Sequence, residues 1–514
     1  MGWTFLEDEH DHLGGFNSQD NPADIEQTRK LTRMATAQNV FAPGDRDDLQ
    51  TAPGFDPVRS TPINAAGIVT GMRHLSEIAD KFLLTVSIAG AAHNIYDDVA
   101  NPPTAITGGT NFTIGANNLV SIVLGTDGTN SGAILMSLLR DTPQFVTGAA
   151  VRSNFVISGT TLPAFGTILG GRLLMGAPSV GGTVFDDRVY WSDIRNHDAI
   201  TDTATQFESF ETYLKDKVRG LLVFSDVCLV GKRHEIFLLP PTPSGTSAFG
   251  TPQRIALGMD RGPVGHQAMI EVNDQAFWLG FNGIYSMNLH EGVKRWADHL
   301  RPTFTAILDN ATSAAALEFA VAGHDAKHHL ILWAVPAAGS ATRNRVLALN
   351  YLTGELYLWT RTRHAYATRL VSGDPRLVGG GLVGLFYNEN TSATTGDADD
   401  ATAAIDADII TPRHHCGSPH IRKLFGGVKV TFDPQATSEA VTLSYRLDDA
   451  SSWSDFAASP YTVTGTANDL DTKYLPLMKV GTHLQLRFRD ANSGHVYRLQ
   501  KYAILWRLVS PMVN

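Results

Sequence analysis

Short apolar runs, each bounded by Gly, Asn, Asp or Pro, recur from residue 68 to residue 388. They include KFLLTVSIAG (81–90), NLVSIVLG (118–125), RLLMGAP (172–178), DRVYWSD (187–193) and GLLVFSDVCLVGKRHEIFLL (220–239). QAFWLGFNGIYSMN (275–288), HHLILWAV (328–335), RVLALNYLTGELYLWT (345–360) and GLVGLFYN (381–388) continue the series. Such runs between turn residues read as β-strands. Two hairpins are marked by Phe281-Asn282-Gly283 and Leu352-Thr353-Gly354, and the Asn-Gly pair predicts a turn with positive φ at both central residues. Aromatic and apolar pairs on what read as the outer parts of the hairpins recur about every 40–55 residues: Tyr190-Trp191, Ile236-Phe237, Phe277-Trp278, Leu332-Trp333 and Leu382-Val383. That period, with roughly four strands per unit, predicts the blades of a β-propeller; the chain length sets their number at roughly six to eight.

Composition agrees with an all-β chain. Hydrophobic residues make up 43% and charged residues 18%, with 47 Gly and 24 Pro among 514 residues. The formal net charge of −10 argues against a surface that grips nucleic acid, which needs clustered cations to displace counterions. It suits a surface that nucleic acid slides past. Cys228, inside LLVFSDVCLV, reads as a small core residue, and with Cys416 far away no disulfide framework is expected. A reducing site of synthesis follows, such as a bacterial cytoplasm. The opening MGWTFLEDEHDH has no basic or apolar region of a signal peptide, and no apolar run reaches the ~18–20 residues that span a bilayer. Neither secretion nor membrane insertion is expected.

Two flanks differ from the repeating middle. Residues 1–60 read as an extended N-terminal arm with one short helix, opened by Asn21-Pro22 and running to about Asn39. Residues 61–405 are the expected propeller. The stretch TSATTGDADDATAAIDADI (391–409) is acidic and free of aromatics, and reads as a linker or exposed loop. Beyond it KLFGGVKVTFD, AVTLSYRLDD, HLQLRFRD and VYRLQKYAILWRLV predict a C-terminal β-sandwich over 411–514. Leu484, Leu486 and Phe488 alternate with Gln485, Arg487 and Arg489, which marks one buried face and one wet face.

Candidate chemistry is sparse. His414, His415, Cys416 and His420 form the densest group of potential metal ligands, but neighbours in an extended segment point to opposite faces. A polar strap into the C-terminal domain is the better reading, and His328-His329 are read in the same way. Asp397, Asp399, Asp400, Asp406 and Asp408 lack the glycine and terminal glutamate of a calcium loop and read as solvated. Asp97-Asp98 and Asp186-Asp187 read as turn residues. Gly379-Gly380-Gly381 lacks the Lys-Ser/Thr of a phosphate loop, and no GxSxG, HExxH or CxxC occurs. Arg361, Arg363 and Arg369, with His364 and Tyr366, form one basic-aromatic patch, read as a rim or subunit contact turned to neighbours or outward. No catalytic, cofactor or metal residue is assigned, and the chain is not expected to be an enzyme.

Several segments, in order, resemble the β-propeller hub or nozzle proteins of short-tailed bacteriophages. They are LGGFNSQDNPADIE (13–26), AQNVFAPGDRDDLQTAPGF (37–55), DRVYWSDIRN (187–196), LLVFSDVCLVGKRHEIFLL (221–239) and RVLALNYLTGELYLW (345–359). The most telling is GMDRGPVGHQAMIEVNDQAFWLGFNGIYSMN (258–288), and CGSPHIRKLFGGVKVTF (416–432) is similar to the family's entry into a terminal sandwich. Residues 56–170 match least. The resemblance implies a virion protein of the tail, made in the host cytoplasm, that forms a ring of about six copies. Such a ring extends the DNA-ejection conduit and contacts adaptor or portal-proximal proteins and tail fibres. DNA passes it without specific binding, along an acidic lining. Two other classes stay open: a carbohydrate-binding or glycan-degrading propeller, and a monomeric interaction scaffold.

Overall fold

The computed structural model describes most of the chain from residue 32 to residue 509, together with 6–10 and 13–16; the longest stretches outside the description are 17–31, 43–48, 242–248, 392–405, 434–438, 464–469 and 491–497. Six four-stranded antiparallel sheets and the first four strands of a ten-stranded sheet stand in a ring of seven blades. Their innermost strands are Gly67–His74, Val120–Thr126, Phe165–Leu169, Gly220–Phe224, Met269–Val272, Val321–Asp325 and Ala365–Val371, which we number as blades 1 to 7. Each innermost strand neighbours the next, and that of blade 7 neighbours that of blade 1, so the ring is closed. The chain is an all-β, seven-bladed propeller with an N-terminal arm and a C-terminal β-sandwich.

The blades pack face to face, which explains the apolar runs. A second or third strand of a blade is covered on both sides, so it cannot alternate wet and dry residues. Phe82–Ile88 and Leu330–Val335 are buried at every position. Buried apolar clusters fill the gaps between blades: Leu83 and Leu135 between blades 1 and 2, Trp191 and Phe237 between 3 and 4, Phe277 and Trp333 between 5 and 6. The recurring aromatic pairs lie on these middle strands and not on outer ones. Tyr190-Trp191 and Ile236-Phe237 are on third strands, Phe277-Trp278 and Leu332-Trp333 on second strands, and Leu382-Val383 in a loop.

Seven blades emerge from only six complete sequence units. The fourth strand of blade 7 is Gly54–Pro57, from the N-terminal arm, which pairs antiparallel with Phe386–Thr391 and bolts the ring shut. Further along the arm, Thr36–Gln38 pairs parallel with Leu356–Trp359, the outer strand of blade 6, and antiparallel with Ala407–Ile410. Ala407–Ile410 in turn pairs with Leu484–Asp490 of the sandwich. One sheet therefore runs from blade 6 through the arm into the sandwich. The second sandwich sheet is built on Lys423–Asp433, Asp471–Gly481 and Arg498–Leu508, with Leu6–His10 and Leu49–Thr51 added along Arg498–Leu508. Val428, Leu443, Leu486, Phe488 and Ile504 fill the space between the two sheets.

Local expectations fared unevenly. Of the arm's helix, residues 32–34 and 36–38 are strands instead, because their backbone groups pair with blade 6 and the sandwich; residues 21–31 lie outside the described residues. Helices do occur at Arg301–Leu308 and Ala311–Leu317, between blades 5 and 6. The hairpin near Asn282 turns on Phe281 and Asn282, since Gly280 pairs with Gly283, and neither central residue takes positive φ. Turns with positive φ at both central positions are found at Gly170-Gly171, Ser225-Asp226 and Asn273-Asp274, joining first and second strands of blades 3, 4 and 5. Asn273 has φ 53°. Replacing it by valine is expected to cost about 1–2 kcal/mol, because a β-branched side chain meets its own carbonyl there. Thermal denaturation checks this; an unchanged Tm would contradict the left-handed turn.

Candidate binding site at the propeller axis

All innermost strands begin on one face of the ring, here called the upper face. Loops between second and third strands, and connections from one blade to the next, also lie there. The lower face carries the hairpins that join first to second and third to fourth strands. On the upper face the axis is blocked by a single 3-10 turn, His266–Ala268, which precedes blade 5. Gln267 Nε2 donates to the Val120 carbonyl of blade 2 at 2.9 Å. The His266 ring stacks on Phe165 of blade 3, with centroids 4.8 Å apart. Leu221 N–H of blade 4 donates to His266 Nδ1 at 3.3 Å, which puts the ring proton on Nε2, 3.2 Å from Ser121 Oγ. Ser121 donates onward to the Gly166 carbonyl at 3.3 Å. Burial pulls the His266 imidazole down to about 4, so it is neutral at physiological pH.

Glycines make this crossing possible. A Cβ on Gly262 would strike the Lys232 backbone, and one on Gly265 the Glu318 carbonyl. The Gly-Pro-Val-Gly-His-Gln run at 262–267 thus passes through a gap that fits bare backbone only.

Beside the turn lies a cavity of about 300 Å³ drawn from blades 2 to 6. Leu119, Leu138, Phe165, Val264 and Phe319 form its apolar wall, and Ser121, His266 and Gln267 contribute polar groups. Arg219 Nη1 is 3.0 Å from Glu318 Oε1, and Lys217 Nζ is 3.4 Å from Oε2. Burial pushes the Glu318 carboxyl up, but these two cations outweigh it and hold it below the usual carboxylate range. Arg140 pairs with Asp186 across the rim. Behind the Phe319 wall Arg343 is 2% exposed and donates to the Phe319 carbonyl at 2.9 Å and to His364 Nδ1 at 2.5 Å. Among the described residues it has no carboxylate partner, and burial alone lowers it to about 9. It keeps its positive charge at neutral pH. His364 is driven down to about 3 by burial and by Arg343 and Arg363.

The residues singled out in the sequence lie elsewhere. Arg361 and Arg363 do not face outward: both are buried, because Glu389 lies between them, with Arg361 Nη1 3.0 Å from Oε2 and Arg363 Nε on Oε1. Phe55 of the arm covers them, its ring 4.2 Å from the Arg363 guanidinium carbon. Tyr366 and Arg369 lie on the innermost strand of blade 7. Gly379 and Gly380 are strand residues: Gly379 lies under this pair, where a Cβ would be 2.8 Å from Arg363 Cδ, and Gly380 faces Val69 of blade 1; Gly381 follows the strand. Asp406 and Asp408 are both paired; Asp408 is 14% exposed, whereas Asp406 stays 42% exposed. Arg489 grips Asp406 and Arg487 grips Asp408, each through two hydrogen bonds of 2.7–2.8 Å across the sandwich sheet. Asp397, Asp399 and Asp400 lie outside the described residues.

His414 and His415 diverge. His414 Nε2 meets Tyr502 OH at 3.1 Å, whereas the His415 ring faces His483 at 5.3 Å. Cys416 is buried and His420 is exposed. His328 bonds Asp325 at 2.7 Å and His329 bonds Tyr351 at 3.2 Å. Asp97 pairs with Lys81 and Asp98 with Arg59; Asp186 pairs with Arg140, and Asp187 accepts from Ser209. No group of three His, Cys, Asp or Glu converges on a metal-sized point among the described residues.

No family model and no curated protein matches the chain. Among solved structures it is similar to the WD40 domain of Neurospora crassa Pan2, at 8% identity and TM-score 0.38, covering 67% of this chain and 96% of that one. It is also similar to the β-propeller domain of Myceliophteria thermophila Cps50 (Swd1), at 9% identity and TM-score 0.40, covering 66% and 100%. At those scores the likeness adds nothing to the strand pairing, which by itself defines the propeller.

Proposed function

We propose that this chain is a structural virion protein of a short-tailed phage, a ring-forming hub or nozzle component that extends the DNA-ejection conduit and contacts adaptor proteins and fibres. The reading is carried by the charge asymmetry of the propeller. The lower-face turns at 80–81, 98–103, 127–130, 148–151, 170–171, 192–206, 225–226, 273–274, 289–291, 326–329 and 351–355 hold eight Asp or Glu against two Lys or Arg once the buried Lys81, Asp98 and Glu355 are set aside. A conduit wall needs this sign, because surface cations would hold the phosphate backbone and slow its exit. The lower face, on this reading, is turned to the DNA.

The propeller's own axis is closed by His266–Ala268, so the conduit belongs to the ring of copies and not to one chain. Upper-face cations such as Arg140, Lys215 and Lys217 lie away from the DNA. Negatively stained images of the purified protein test the assembly: closed rings of about six copies are expected. Particles that stay monomeric at every concentration would overturn it. The lining is tested separately. Binding to duplex DNA at physiological salt is expected to be undetectable at micromolar protein, and tight, salt-dependent binding would overturn the acidic wall.

A further inference from the structure

We propose that the cavity beside His266 binds a small amphipathic anion, an apolar body ending in a single carboxylate. The inference stands on the cavity alone and does not depend on a role in a tail.

Three observations define the ligand. The volume of about 300 Å³ lies at the lower end of pockets that enclose small organic molecules. The wall formed by Leu119, Leu138, Phe165, Val264 and Phe319 is apolar, which favours a hydrocarbon or aromatic body and disfavours a dianion such as phosphate. The charges do not balance. Arg140 is matched by Asp186, but Lys217 and Arg219 share the single carboxylate of Glu318. One cation is left over at the rim, and the buried Arg343 behind Phe319 adds an uncompensated positive charge. A single carboxylate at the rim completes the pairing; a ligand cation would meet repulsion.

The cavity also suggests a pose. Lys217 is half-exposed and its ammonium has donors to spare beyond Glu318, so the carboxylate sits there. The body then descends between Leu119 and Phe319 towards the floor of Ser121, His266 and Gln267. His266 is neutral, so it adds no charge that would pull the acid away from the rim. The same chemistry occurs in a free organic acid and in a peptide ending in an apolar residue.

The test is calorimetric titration of the full-length protein with 4-phenylbutyrate, indole-3-acetate and hexanoate, and with the neutral 4-phenylbutanamide. Ac-Gly-Gly-Phe, with a free or an amidated C-terminus, separates peptide ends from free acids. Saturable binding of at least one acid is expected, with the amide weaker by about tenfold, as for loss of one charge-assisted contact. Lys217→Gln removes the surplus cation and is expected to weaken the acid by about tenfold without moving the Tm, since a half-exposed ion pair adds little stability. Absence of saturable binding for every acid and peptide would overturn the site. So would equal affinity for acid and amide, or unchanged affinity in Lys217→Gln.

Discussion

Replacement of Glu389 by alanine is expected to destabilise the protein by about 3–5 kcal/mol, because it strands two buried guanidinium groups at once. The Arg361, Arg363 and Glu389 side chains are 4%, 4% and 1% exposed, so water cannot replace the lost carboxylate. Burial opposes the charge on Arg363, and Glu389 reverses that, leaving the guanidinium more basic than usual. Phe55, which covers the pair, lies opposite Glu389 in the strand that closes blade 7. Loss of the carboxylate should therefore loosen the closure of the ring as well as the core beneath it. Amide exchange at residues 54–57 should accelerate together with the fall in Tm. An exposed pair gives the contrast: Arg254 is 55% exposed, and Glu235→Ala, which removes its partner, should cost at most about 1 kcal/mol. Equal effects at Glu389 and Glu235 would show that the buried triad is not what holds the arm.

The strand rhythm was legible because a middle strand covered on both faces must be apolar throughout, and turn residues must separate such strands. The sandwich strands were legible by alternation: Leu484, Leu486 and Phe488 all lie in its core, although Gln485, expected on the wet face, is buried because it donates to the Thr411 carbonyl and accepts from Arg446. What the local sequence cannot carry is the partner of a distant residue. Arg361 and Arg363 look like a surface patch until Glu389, 26–28 positions away, is brought between them. Asp406 and Asp408 look unpaired until Arg489 and Arg487 arrive from a strand some eighty positions later. The blade number stayed a range of six to eight, which includes the seven found, for the same reason: one strand of blade 7 comes from residues 54–57. The axial cavity has no motif because its lining is scattered from 119 to 319, over the leads into the innermost strands of blades 2 to 6 and the loops between second and third strands of blades 2 and 3. Its single local sign was the glycine spacing in Gly-Pro-Val-Gly-His-Gln, whose close approaches to Lys232 and Glu318 only the fold could reveal.

Asn39 is the second position where a large effect is expected, and it tests how propeller and sandwich are joined. Its backbone is left-handed, φ 54°, a conformation asparagine tolerates better than other side chains. Its amide N–H donates to the Leu358 carbonyl at 2.8 Å, and its own carbonyl accepts from Ala52 N–H at 2.7 Å. The side-chain Oδ1 accepts from Thr360 N–H at 2.6 Å, and Nδ2 donates to the Asp406 carbonyl at 2.9 Å. The Thr360 hydroxyl lies within 3.0 Å of both ends of the amide. One buried side chain thus links blade 6, the arm and the lead into the sandwich, next to the Trp359 Nε1 bond to the Val40 carbonyl at 3.0 Å. Asn39→Ala leaves the Thr360 N–H and the Asp406 carbonyl without their partners, at about 1–3 kcal/mol each, and adds about 1 kcal/mol for alanine in left-handed backbone. A total loss of about 3–7 kcal/mol is expected. Asn39→Gly should recover only the backbone part, about 1 kcal/mol, because it restores none of the hydrogen bonds. Calorimetry should separate this from a simple loss of core packing. If Asn39 couples the two bodies, the alanine variant melts in two resolved transitions where the parent melts in one. A single transition, shifted no further than in Asn39→Gly, would mean that the continuous sheet through Thr36–Gln38 holds the bodies together without it.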